Sequence, residues 1–143
     1  MAITQAMCTS FKVALLDGEM DFSSGTAQSY KIALYTSSAS LDAATTAYTT
    51  SNEVTGTGYT AGGNTLSIST NSTSTGTTAF LSFATTTWTT ATITARGALI
   101  YQAGGSTPAV AVLDFGSDKG SSAGDFQITF PTADATNAII RIA

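Results

Sequence analysis

Histidine is absent from the 143-residue chain, and cysteine occurs once. Without imidazole the chain cannot build Ser-His-Asp or Cys-His nucleophile activation, nor the usual nitrogen-ligated metal sites. The lone Cys8 can form neither an internal disulfide nor a cysteine zinc cage, and it reads as a small buried thiol on a helix. Carboxylate-pair or Ser-Lys chemistry would remain, but neither Glu19 nor Glu53 stands in a recognisable acid/base setting. The expectation is a protein that is not an enzyme, with no cofactor and no dedicated metal site.

Charge is also scarce. Charged residues make up 10% of the chain, against about 25% in an ordinary soluble protein. Five Lys+Arg and nine Asp+Glu leave a net charge of -4. No basic stripe exists to neutralise a run of phosphates, so neither nucleic acid nor an anionic membrane surface is an expected partner. The longest apolar runs, such as Ala109 to Leu113, fall far short of the roughly 20 residues a membrane helix requires. Ile3 to Leu16 mixes Thr, Gln, Ser and Lys throughout and lacks the pattern of a secretory signal, which predicts synthesis in the cytoplasm.

What is present is apolar and β-forming. Hydrophobic residues make up 43% of the sequence and the mean hydropathy is +0.19. The length suits one domain with a real core. A surface with so few charges is poorly protected against association, which predicts a homo-oligomer or a subunit of a larger assembly.

Ile3, Met7, Phe11 and Ala14 or Leu15 recur at spacings of three and four, predicting an N-terminal helix over residues 1–17 that Gly18 terminates. Its apolar face must cover a sheet or a neighbouring subunit. From residue 18 to 143 the period changes to short β-branched and aromatic runs separated by Gly, Ser, Asn and Asp. Strands are expected at Tyr30–Thr36, around Gly58-Tyr59, and at Thr65–Ser69, Thr78–Ala84, Ala91–Ala95, Ala98–Gln102, Ala109–Phe115, Asp125–Phe130 and Ala138–Ile142. The expected fold is mainly β: a single-domain antiparallel β-sandwich or jelly-roll-like structure with one N-terminal helix. The predicted core holds Ile32, Leu34, Phe80, Phe83, Ile93, Leu99, Leu113, Phe115, Phe126, Ile128, Phe130 and Ile140. The Thr-rich stretches Ser37–Thr50 and Asn71–Thr78 read as exposed loops.

Several motifs resolve to bland readings. Gly56-Thr57-Gly58-Tyr59-Thr60-Ala61-Gly62-Gly63 misses both nucleotide-loop spacings and reads as a turn between strands. Asp17, Glu19 and Asp21 match the first spacings of a calcium loop, but Phe22 and Gln28 occupy its glycine and glutamate positions, so the cluster reads as a solvated helix exit. Asn71-Ser72-Thr73 matches a glycosylation acceptor pattern without a secretory signal and reads as a polar loop. Trp88, the only tryptophan, reads as a core or interface anchor, with a sugar-binding platform as the functional reading. Arg96 is expected to pair with Asp114 or another carboxylate inside an interface. The candidate interaction residues are Ile3, Met7, Phe11, Trp88 and Arg96.

Five blocks carry a resemblance: Ile3 to Lys12, Tyr30 to Thr36, Gly56 to Gly63, Thr94 to Tyr101 and Ala109 to Gly116, closed by Ala138 to Ile142. In order and wording they resemble a family of small structural proteins of tailed bacteriophages, over nearly the whole chain. The resemblance implies a non-enzymatic virion protein with no catalytic residues to carry over. It implies a capsid decoration (cement) protein that binds the major capsid protein lattice. The alternative is a tail or fibre protein contacting other tail proteins or a host receptor. Gly116 to Gly124 and the Thr-rich stretch from Asn71 look the most variable parts. A host-glycan binder would need Trp88 and Tyr59 exposed together.

Overall fold

The computed structural model describes residues 2–23 and 28–143. The chain is a β-sandwich of two antiparallel sheets with one short helix. Strands β1 (Ala6–Met7), β2 (Tyr30–Tyr35), β3 (Asn64–Leu66), β6 (Thr86–Gln102) and β7 (Ala109–Ile128) form a sheet in the order β1-β7-β6-β2-β3. Strands β4 (Ile68–Thr75), β5 (Thr78–Phe83) and β8 (Ile140–Ile142) form the smaller sheet in the order β4-β5-β8.

The helix α1 covers only Thr9–Leu16. This corrects the expectation of a helical segment from residue 1 to 17. Before it the chain is extended: Ile3 bridges Leu41 in parallel, and Ala6 and Met7 pair with Val112 and Ala111. Apolar residues four apart fit a helix and an intermittently buried extended segment alike, and here pairing with β7 decides the outcome. The end of the helix is as expected. Gly18 takes φ 73, its N–H donates to the Leu15 carbonyl at 3.3 Å, and the Glu19 N–H donates to the Ala14 carbonyl at 2.8 Å. This pair of bonds is a Schellman closure, which needs a residue free to enter the left-handed region.

Phe11 is fully buried on α1 and meets Phe22 edge-to-face at 5.9 Å. Phe22 stacks on Tyr30 of β2 at 4.3 Å and lies 6.5 Å from Phe83 of β5. These rings join the helix to both sheets, so the helix is part of the one core and not a separate unit.

The runs Ala91–Ala95 and Ala98–Gln102 fuse into β6, and Ala109–Phe115 fuses with the expected Asp125–Phe130 run as far as Ile128 into β7, giving paired strands of 17 and 20 residues, with Thr129 and Phe130 beyond the strand. Gly116–Gly124 is therefore strand. Between Ala95↔Lys119 and Gly97↔Asp114 the register shifts, so residues 115–118 stand opposite Arg96 alone. A bulge of this kind lets the ladder continue past residues that read as a break. Asn71–Thr75 is also strand, though exposed, because it lies on the β4 edge of the smaller sheet. Gly58 and Tyr59 lie in no strand, and the nearest pairing is an isolated bridge between Thr57 and Thr92.

In the predicted core, Ile32, Leu34, Phe80, Phe83, Ile93, Leu99, Leu113, Phe126 and Ile140 are buried. Phe115, Ile128 and Phe130 are only partly buried and pack on its border. All three border residues fall beside the outer half of β7, where a groove opens.

Candidate interaction surface

The sequence candidates do not form one surface. Ile3 and Phe11 are buried within the chain, and Met7 is half-buried on β1. The face proposed for docking is thus split: only Phe11 lies on the helix, and it is consumed by the protein's own core. Trp88 is 3% exposed, 6.0 Å from Tyr59 and 6.1 Å from Phe126. It is a core anchor. Its indole Nε1–H is buried without a hydrogen-bond acceptor among the described residues, and the buried ring offers no face to a sugar. Arg96 pairs with Asp118 and not Asp114: its Nε lies 2.9 Å from Asp118 Oδ1, because the bulge carries Asp118 over the arginine. Both side chains are well exposed, so this pair contributes little to stability.

A buried polar cluster went unnoticed in the sequence. Glu53 is 8% exposed, and its Oε1 accepts hydrogen bonds from the Tyr59 hydroxyl at 2.6 Å and the Gly62 N–H at 2.7 Å. Its Oε2 accepts from the Tyr48 hydroxyl at 2.7 Å. The Tyr101 hydroxyl donates to the Gly62 carbonyl at 2.7 Å, and the ring stacks on Tyr48 at 4.7 Å. Burial first, then the neighbouring Glu53, raises the hydroxyl pKa values of Tyr48, Tyr59 and Tyr101 above the ordinary tyrosine value. A carboxylate saturated by three donors is a tie-point for the 45–63 loops.

Among the described residues no three His, Cys, Asp or Glu side chains are grouped as a metal would need. At the helix exit, Asp21 uses its carbonyl to accept from the Tyr30 hydroxyl at 3.1 Å and its Oδ1 to accept from the Ser23 N–H at 2.7 Å. Cys8 is a buried free thiol, pushed up to about 11 chiefly by burial. No helix among the described residues is long and apolar enough to cross a membrane.

A groove stands open between the two sheets. One section, about 450 Å³, lies between β1 and β8 and is lined by Met7, Leu113, Ile139 and Arg141 among others. It shares Gln5, Leu113, Pro131 and Ile139 with a section of about 550 Å³ beside the outer half of β7, which includes Phe115, Ile128 and Phe130. At the other end it shares Met7 and Arg141 with a section of about 330 Å³ that reaches Lys12, Leu16 and Ile142. Leu16 and Ile142 are large apolar side chains left 89% and 53% exposed. β1 is an edge of the larger sheet and β8 an edge of the smaller, so two sheet edges border one trough, whose walls mix apolar side chains with Gln5, Asn137 and Arg141.

No protein-family model, curated protein or solved structure matches the chain.

Proposed function

We propose that this chain is a non-enzymatic structural protein of a tailed-bacteriophage virion, and specifically a capsid decoration protein seated on the major capsid lattice. The observation that carries the reading is the groove between β1 and β8, with Leu16 and Ile142 exposed at its mouth. Large apolar side chains left exposed beside a groove are the kind that a protein partner would cover. Sparse charge fits the same role, since apolar contact then carries little desolvation cost. The polar groups that could have formed a reactive site are instead used internally, with Glu53 satisfied by Tyr48, Tyr59 and Gly62. The phage family assignment itself rests on the sequence resemblance of the blocks from Ile3 to Ile142.

Quantitative mass spectrometry of purified virions tests the reading. Copies comparable in number to the major capsid protein support decoration, whereas copies comparable to tail proteins place it in the tail or fibre. Absence from the particle overturns the virion reading.

A further inference from the structure

We infer that the groove between β1 and β8 accepts an extended strand from another protein, carrying apolar side chains and a carboxylate that meets Arg141. The inference deepens the assembly reading and rests on it.

The backbone fixes the kind of occupant. The trough is bordered by β1 on one side and β8 on the other, each the last strand of its sheet. Each edge is short, two residues in β1 and three in β8, and its outward backbone donors and acceptors are the groups that an added strand satisfies. The apolar wall residues Met7, Leu113 and Ile139 would take alternate side chains of that strand.

Charge fixes its chemistry. Lys12 and Arg141 are two of the five cations in a chain of net charge -4, and both line the same end of the trough. Among the described residues, Arg141 makes one long side-chain hydrogen bond, 3.4 Å from Nη1 to the Ala135 carbonyl. The nearby Asp134 carboxylate is occupied by its own loop, accepting from the Thr136 and Asn137 N–H groups at 2.8 and 2.6 Å and from the Asn137 side-chain amide. Those hydrogen bonds from Asn137 and Thr136 hold the Asp134 carboxyl below its ordinary value, and Arg141 adds to this through space. Among the described residues Arg141 makes no ion pair, so its guanidinium can still meet a carboxylate from outside. The same residue argues against a second copy adding β8 to β8: antiparallel pairing centred on Arg141 sets two cations opposite each other, which is destabilising.

The test uses the full-length protein and two synthetic pentapeptides, Thr-Val-Asp-Val-Thr and Thr-Val-Lys-Val-Thr, each capped at both ends. Amide chemical-shift titration should show perturbation at Ala6, Met7 and Ile140–Ile142. The aspartate peptide should bind about threefold tighter than the lysine peptide, and R141E should reverse that order. A second variant, L16S, leaves the β8 charge intact and reports the apolar mouth: it should weaken both peptides equally. Perturbation elsewhere, no perturbation at millimolar peptide, or a preference unchanged by R141E overturns the inference. If the protein proves to be on virions while neither peptide perturbs β1 and β8, strand addition falls and the assembly reading stands. If a peptide binds as described but virions lack the protein, the reverse holds.

Discussion

Tyr59 and Glu53 hold one another in the interior: the Tyr59 hydroxyl donates to Glu53 Oε1 at 2.6 Å and accepts the Leu34 N–H at 2.9 Å. One phenol thus joins a loop carboxylate to the backbone of β2. Removing the hydroxyl takes one of two donors from Glu53 Oε1, which keeps the Gly62 N–H, and leaves the Leu34 N–H without its acceptor. Tyr59→Phe is expected to cost about 2–3 kcal/mol, measured by urea denaturation. A change near zero would mean that the cluster does not secure the loop.

Alkali should weaken the fold. Burial, with Asp21 adding to it, raises the Tyr30 hydroxyl from 10.0 to about 12 in the folded chain, and burial raises Cys8 from 9.0 to about 11. In both cases the folded state holds the proton more tightly than the unfolded chain does. The stability they contribute is fully present below the unfolded value, and is lost as pH rises through the folded one. The denaturation midpoint should therefore fall progressively between about pH 9 and about pH 12. Cys8→Ala should remove the earlier part of that fall, and a midpoint flat over this range would contradict the assignment.

Two glycines with similar φ should respond differently to alanine. Gly63 has φ 74, and an added Cβ would collide with the Ile32 carbonyl of β2; Gly18 has φ 73 with open space around it. Gly18→Ala should cost only the left-handed strain, about 1–2 kcal/mol. Gly63→Ala adds a backbone clash and should exceed about 4 kcal/mol, read from thermal or urea unfolding. Equal effects would show that the Gly56–Gly63 turn does not press on β2.

Leu99 is fully buried in β6, and Leu99→Ala should destabilise by about 2–5 kcal/mol through lost burial and a residual cavity. Arg96→Ala breaks only the exposed pair with Asp118 and should cost no more than about 1 kcal/mol. Urea unfolding of the two variants separates core from surface, and the reverse order would refute the burial pattern.

The legible parts of the fold were those with local periodicity. Ile32 and Leu34 alternate in β2, and Phe126 and Ile128 alternate in β7, so their strands stand out by pattern alone. The full length of β6 and β7 was hidden because Arg96-Gly97 and Gly116 read as punctuation, whereas a bulge carries the ladder through them. Ile3 and Met7 misled because their spacing suits a helix, and only pairing with Leu41 and Ala111 reveals extended chain. The Glu53 cluster left no periodic trace: Tyr48, Tyr59 and Gly62 reach it from irregular loop positions. The groove depends on which strands end each sheet, a property of topology rather than of local sequence.

Attachment to a partner through such a groove should depend on apolar contact and backbone hydrogen bonds more than on long-range charge. The protein should stay on its particle from low to molar sodium chloride, where surface charges are screened, and leave in mild denaturant or on heating. Sedimentation of particles followed by protein staining of pellet and supernatant checks this. Release by salt alone would point to an electrostatic attachment.

The most direct test of the account is cryo-electron microscopy of the intact virion at a resolution that separates strands. The account predicts this β-sandwich on the outer face of the capsid, with an added strand of density between Ala6-Met7 and Ile140–Ile142. A capsid surface bare of the sandwich would contradict it, whether the protein then sits in the tail or is missing from the particle.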